Sequence, residues 1–480
     1  MSFIKKFLKA VSPFQILVMG YLFITVSGAF LLSIPYASRN GQWQNYVDSL
    51  FMAASAISTT GLVVVDIGSF YTLFGQLVLM TIFQIGGIGY MSLLMFVLYL
   101  FDIKTSITVQ LTAKESLSGP TLRILGKFFL VTVIFTLIFE ASGAIVLALY
   151  WMQKYNSITA AYYGVFHSIS AFCTAGFCLF PDSLMSYKDS IIINGSINFL
   201  SLAGGIGFIV LYETFMFVSK RLRGMKVKHV SVHTKVVLLT TFIIVITATL
   251  LLLVTEHWDS SISIIQRFVY SSFQVISAST TDGYNTIDIG AMSSASITII
   301  MLLMFVGASP GSTGGGIKTT TFAIICMYIV SLLKGRSNGV VNIYEREIPT
   351  ESINKALGIF IMFIIVTMID LISMSMTEKC NFENILFEII SALGNTGLST
   401  GITSQLSITG KVLLTVTMFI GRVGPITFGF FILGNKKVLI VHYGDVHRSR
   451  QVLETRKLNE TCVLEHELAD LPQLAQQTQI

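Results

Sequence analysis

Four short motifs hold the residues best suited to handling an ion. Each ends in a glycine (Gly61, Gly176, Gly283, Gly397), with Thr59, Thr174, Thr281 or Asn395 two places earlier. A phenylalanine stands ten residues before each glycine: Phe51, Phe166, Phe273 and Phe387. Ser-Ala pairs lie between, at Ser55-Ala56, Ser170-Ala171, Ser277-Ala278 and Ser391-Ala392. The motif recurs at steps of 115, 107 and 114 residues, the signature of internal repetition. Its chemistry is that of the backbone. A Thr-x-Gly turn can aim successive carbonyl oxygens inward, because glycine takes angles that other residues resist. Four turns about one axis would offer rings of oxygens that replace a cation's hydration shell. The candidate ion-binding residues are therefore Thr59, Thr60 and Gly61; Thr174, Ala175 and Gly176; Thr281, Asp282 and Gly283; Asn395, Thr396 and Gly397. A plainer reading has these small residues only letting membrane helices approach closely. Four matched copies, each between two apolar runs, weigh against it.

Such turns need a scaffold, and composition says which kind. Of 480 residues, 53% are apolar and 12% charged, where soluble domains carry about a quarter charged. Apolar runs long enough to cross a bilayer recur from end to end. The sequence predicts an all-α membrane protein of four repeats, each helix, re-entrant pore loop, helix. Eight spans then surround a central pore with pseudo-fourfold symmetry. The repeats occupy 1–103, 104–222, 223–340 (with a broken second helix) and 341–446, and a polar cytoplasmic tail covers 447–480. Expected spans are 14–34 and 72–100, 124–152 and 191–218, 236–254 and 297–333, 353–376 and 412–433. The short helices between them (from 46, then 162–172, 268–278 and 382–393) cannot span and are read as re-entrant.

Basic residues fall on one side of this plan. They are Lys5, Lys6 and Lys9; Lys220, Arg221, Arg223, Lys226, Lys228 and Lys235; Lys334, Arg336 and Arg346; Lys436 and Lys437. The positive-inside rule makes that side cytoplasmic, with both termini inside. The basic start before an apolar run is read as a retained first helix, no small-residue cleavage site standing out. Five cysteines without metal-ligand spacing suggest neither a disulfide framework nor a transition-metal site. The tail has a short amphipathic piece at 463–474.

The runs TTGLVVVDIG (59–68), GSTGGGIKT (311–319) and GRVGP (421–425), with the GGIG stretches, resemble the Trk/Ktr/HKT superfamily of potassium transporters. The resemblance covers about residues 14–437, and the absence of extra spans before the first repeat favours its KtrB-type ion-translocating branch. It implies a K+ filter with one glycine per repeat, at Gly61, Gly176, Gly283 and Gly397. Relatives that pass Na+ tend to carry serine where this chain has Gly61, so K+ is the expected ion. It also implies a homodimer on a cytosolic RCK-type nucleotide-binding ring, in a bacterial-type plasma membrane. No organic cofactor and no nucleic-acid partner are expected on this chain.

The second helices carry glycines in matched places, most densely in the third repeat. There the stretch GASPGSTGGG (307–316) puts Pro310 and five glycines inside an apolar run, with Gly311, Ser312, Thr313, Gly314, Gly315 and Gly316 as the candidate gate. So many breakers should interrupt the helix, and in the resembled family this segment is an intramembrane gate. A simple packing kink is the alternative. Lys318 either tethers the gate or snorkels to the cytoplasmic surface. Arg422, about 20 Å of rise into the last helix, either raises a barrier below the filter or pairs with Asp370 or Glu213. Asp66 and Asp288, five residues past their glycines, either gather cations or are solvated loop acids. Gly307-Ala308-Ser309-Pro310-Gly311 matches a hydrolase nucleophile motif, and 311–319 nearly matches a P-loop. Neither has the strand context such motifs require, so no enzyme is expected. The remaining alternative function is a secondary carrier with alternating access.

Overall fold

The computed structural model describes residues 13–89, 122–225, 230–335, 341–344, 346–425 and 428–429. Lys5, Lys6, Lys9, Lys226, Lys228, Arg336, Lys436, Lys437, Cys462 and the 463–474 piece lie outside them, as do residues 90–100. Residues 1–426 form one compact unit and 427–480 a second; everything below concerns the first.

Its described residues are almost wholly helical. The first repeat has α1 (Pro13–Ser33), α2 (Tyr46–Ile57) and α3 (Leu73–Ile88). The second has α4 (Leu122–Trp151), α5 (Ser157–Phe172), α6 (Ile191–Ile206) and α7 (Phe208–Leu222). The third has α8 (Val232–Thr255), α9 (Ile264–Thr280), α10 (Ser294–Val306) and α11 (Thr319–Leu333). The fourth has α12 (Thr350–Thr377), α13 (Phe382–Gly394) and α14 (Ile408–Val423). A two-residue antiparallel pair, Asn342–Ile343 with Arg346–Glu347, joins α11 to α12.

Local chemistry starts the helices where the repeats need them. Thr72, Ser190, Ser293 and Ser407 precede α3, α6, α10 and α14, and each side chain accepts the first-turn N–H three residues on. Among the described residues, 130–151 of α4, all of α8 and all of α12 are long and apolar enough to cross a membrane. Their faces away from the core carry large apolar side chains in the open, such as Ile138, Phe242 and Ile372. Such faces suit lipid and not water, and this is a membrane protein.

Glycine stops each second helix. Gly89, Gly207, Gly307 and Gly424 follow α3, α6, α10 and α14, all with φ between 69° and 101°. The expected continuous span at 191–218 is instead two helices bent by 103° at Gly207. A residue at φ 101° cannot continue a right-handed helix, and only glycine occupies that region cheaply.

The helices pack in a cycle. Within each repeat the short helix lies against the first long one: α2 on α1, α5 on α4, α9 on α8, α13 on α12. The second helix then packs on the short helix of the next repeat: α3 on α5, α6 on α9, α10 on α13, and α14 back on α2. Phe51, Phe166, Phe273 and Phe387 are fully buried anchors of the short helices.

Candidate ion pathway

All four short helices end in turns of the same conformation. Thr59, Thr174, Thr281 and Asn395 have φ of 53°, 49°, 59° and 52°. Two residues later Gly61, Gly176, Gly283 and Gly397 have φ of 89°, 64°, 91° and 88°. Non-glycine residues rarely hold a left-handed φ without strong bracing. Here the bracing is the same each time. The N–H groups of Thr60, Ala175, Asp282 and Thr396 donate to the carbonyls of Ser55, Ser170, Ser277 and Ser391 at 2.8–2.9 Å.

The serine hydroxyls add a second tie that spacing alone did not reveal. Ser170 Oγ donates to the Phe177 carbonyl (3.0 Å) and Ser277 Oγ to that of Tyr284 (2.6 Å). The Gly397 N–H donates to Ser391 Oγ at 3.0 Å. In these three motifs the serine bolts the turn in place, whereas the buried Ser55 hydroxyl of the first has no hydrogen-bond partner among the described residues.

The four turns touch in cyclic order. A methyl group placed on Gly61 would come under 3.0 Å from the Ala175 carbonyl oxygen, and one on Gly176 equally close to that of Asp282. One on Gly283 would meet the Thr396 oxygen, and one on Gly397 the Thr60 oxygen. Each turn's glycine faces the next turn's carbonyl, and the fourth returns to the first. Behind the turns, Gly86, Gly204 and Gly421 let α3, α6 and α14 press on the carbonyls of Ile57, Phe172 and Leu393.

All four glycines also line one cavity of about 380 Å³. Asp66 and Asp288 line it too, and each caps a helical turn by accepting from Ser69 N and Gly290 N at 3.0 Å. A third acid there, Asp182, was not anticipated. Its position six residues past Gly176 was the available signal. Three carboxylates around one mouth raise the local cation concentration.

A non-helical loop packs against the turns. It begins at Gly307 (φ 69°), where the glycine-rich stretch of the sequence starts, and ends at Lys318. Its backbone is satisfied internally, through Ala308 N to Gly315 O (3.1 Å) and Lys318 N to Val306 O (2.9 Å). Thr313 N and Ser309 N reach Gly204 O and Gly205 O of α6 at 3.2 and 3.0 Å. Irregular backbone at membrane depth requires such pairing.

The loop grips the turns directly. Thr313 Oγ1 lies 3.0 Å from Thr174 Oγ1, and Thr59 Oγ1 donates to the Thr313 carbonyl (3.3 Å). The Gly315 N–H donates to Thr281 Oγ1 at 2.9 Å. Lys318 Nζ donates to the carbonyls of Gly314 (2.6 Å) and Gly315 (3.1 Å), a tether and not a snorkel. Ser312 Oγ and the Ser309 carbonyl close a turn at 2.6 Å. Gly311 O accepts from Phe208 N at 3.0 Å, and Gly316 folds against Gly307.

Arg422 joins this loop. Its guanidinium donates to the Thr313 carbonyl at 2.5 Å and to the Gly86 carbonyl. Asp370 instead accepts from Thr417 (2.6 Å), and Glu213 from Ser231 and Thr234. Ser309 is buried with its hydroxyl on Thr319 at 3.0 Å.

One bracing column has no signature in the sequence. The residue after each anchor phenylalanine is Met52, His167, Gln274 or Glu388, all in the short helices. Three of them brace the segment leaving the turn. His167 Nε2 accepts from Leu179 N at 3.3 Å, so Nδ1 carries the proton that goes to the Tyr163 carbonyl (2.8 Å). Gln274 Nε2 donates to Thr286 Oγ1 (3.1 Å). Glu388 accepts from Ser399 Oγ, Thr403 Oγ1 and Thr400 N at 2.5, 2.9 and 3.2 Å. Four unlike side chains hide such a column from inspection.

Among the described residues Cys173, Cys178, Cys326 and Cys380 are free thiols, and no group of three or more metal-ligating side chains occurs.

Comparison with known proteins bears on this arrangement. The family model for TrkH, described as cation transport protein, matches residues 3–433. Ktr system potassium uptake protein B of Bacillus subtilis is 34% identical over 423 residues, covering 87% of this chain and 92% of that protein. The Vibrio alginolyticus protein of the same description is 34% identical over 435 residues, covering 90% and 93%. Potassium/sodium uptake protein NtpJ of Enterococcus hirae is 30% identical over 436 residues, covering 89% and 94%. The crystal structure of the potassium transporter TrkH from Vibrio parahaemolyticus has a similar fold, with TM-score 0.66 at 20% identity over 88% of this chain and 84% of that one.

Proposed function

The chain belongs to the TrkH cation transport family, and from that premise we propose that it takes up K+ through the four turns, which act as a selectivity filter. The observation that carries the reading is the closed cycle in which each turn's glycine faces the next turn's carbonyl. Oxygens so arranged replace the water around a monovalent cation without any titrating side chain. Three relatives are described as potassium uptake proteins, one of them for sodium as well. K+ is the preferred ion on this reading, with Gly61 completing a ring that has glycine in every repeat.

The matched turn conformations and cyclic packing support four repeats with pseudo-fourfold symmetry and eight spans. The loop from Gly307 to Lys318, gripped by Thr59, Thr174, Thr281 and Arg422, is the gate in its closed position. Arg422 serves as its latch and Lys318 as its internal tether. A homodimer on a cytosolic RCK-type nucleotide-binding ring controls it, with both termini on that side of a bacterial-type plasma membrane. Transport, not hydrolysis, is the activity.

The test is K+, Rb+ and Na+ flux in proteoliposomes, with and without the cytosolic partner. Selective K+ and Rb+ flux that rises with the partner is expected; equal flux of all three ions refutes the filter.

A further inference from the structure

Three turns use the residue two places before the glycine to hold the loop; the fourth does something else. Asn395 is fully buried, and its Nδ2 donates to Met418 O (2.9 Å) on α14 and to Thr60 Oγ1 (3.0 Å) in the first turn. A longer contact reaches Ala392 O at 3.3 Å. Two of these acceptors are carbonyls, which fixes the amide's orientation.

The chain of bonds continues. Thr60 Oγ1 lies 2.7 Å from Ser58 Oγ, and Ser58 Oγ donates to Ala54 O at 2.6 Å. With the Ser58 proton committed to Ala54, Thr60 donates to Ser58 and accepts from Asn395. Every hydrogen is then placed, from α14 through the fourth turn to the first and on into α2. This seam joins residues 335 apart in sequence, where the last repeat meets the first.

We infer that Asn395 determines ion specificity as a clamp on the fourth-to-first seam and not as an ion ligand. The inference rests on the filter reading above. A smaller ion such as Na+ is held well only if the carbonyls close in on it. The Thr60 carbonyl that faces Gly397 belongs to the residue whose side chain Asn395 holds. Fixed by its hydroxyl to both neighbours, Thr60 cannot follow a smaller ion inward, so the clamp penalises Na+.

The experiment is a double-mutant cycle on the ratio of K+ to Na+ flux in proteoliposomes of the full chain. Asn395→Thr installs the residue of the other turns, which adopts the same left-handed φ there. Thr60→Val removes the acceptor. Each single change is expected to lower the ratio about tenfold, and the pair to lower it no further. A ratio unchanged in either single variant, or losses that multiply, overturns the clamp. Should Asn395→Thr fail to give monodisperse protein, Ser58→Ala cuts the same chain one link away. The same fall is expected there, and an unchanged ratio again overturns the clamp. Gly283→Ser is measured alongside: a loss there without one in Asn395→Thr sinks the clamp and spares the filter. No loss in either variant sinks both.

Discussion

Gly283 is where the filter reading can be pressed hardest. Its φ is 91°, and an added Cβ would come well under 3.0 Å from the Thr396 carbonyl oxygen. Relaxed contacts between such atoms run to about 3.5 Å, so the turns must part by roughly 1 Å. Coordination distances in ion sites are specified to about 0.2 Å, so a shift of that size abolishes the fit. Gly283→Ser is expected to lower the K+ to Na+ flux ratio at least about tenfold, or about 1.4 kcal/mol of discrimination. Left-handed strain adds about 1–2 kcal/mol of destabilisation, and this has to be separated from the clash. Gly41→Ala does so: φ is 65° there and nothing lies within 4 Å of the added Cβ. It should carry the strain alone and keep wild-type selectivity. The assay is ion flux in proteoliposomes, with thermal unfolding of both variants alongside. A Gly283→Ser protein that retains wild-type selectivity refutes the argument that these carbonyls select the ion.

Further outcomes follow from the loop and the braces. Arg422→Ala releases the Thr313 carbonyl from a charged donor, a bond worth about 1.5–3 kcal/mol. Basal K+ flux without the partner should rise about tenfold or more, and flux that stays partner-dependent contradicts the latch. Thr281→Val leaves the Gly315 N–H without its acceptor at a cost of about 1–3 kcal/mol, so basal flux should rise in this variant too; tracer uptake of Rb+ measures it. Glu388→Ala strands three donors in the segment after the fourth turn. It should destabilise the protein by about 3 kcal/mol or more, read as a fall in Tm in detergent, whereas an unchanged Tm would mean the brace carries no load.

Much of the fold was readable because repetition exposes it. The phenylalanine, Ser-Ala, Thr and glycine columns located all four turns, and the short helices run into them as expected. Periodicity and length set most helix boundaries to within a few residues. The bend at Gly207 was hidden, since Gly204, Gly205 and Gly207 in an apolar run read as close-packing glycines of a continuous span until the φ of Gly207 is known. The break that starts at Gly307 was legible in the glycine-rich stretch 307–316. Within the loop Gly307 packs on Gly315, a contact that spacing does not show. The Lys318 tether reaches carbonyls only three and four residues back, but cyclic order and the Asn395 clamp depend on partners far away in sequence. No local pattern encodes them. Glu388 and His167 share a column and a job but no chemistry, so only geometry reveals their equivalence.

The glycines behind the turns have a consequence of their own. Gly86, Gly204 and Gly421, near the carboxyl ends of α3, α6 and α14, press on Ile57, Phe172 and Leu393 at the carboxyl ends of α2, α5 and α13. Six helix ends, each equivalent to about half a negative charge, thus crowd the same depth. That attraction is written in the main chain, so acidity and oxidants outside cannot switch it off. On the filter reading proposed above, holding an ion there needs no regulation, and what remains for the cell to control is whether the way inward is physically clear.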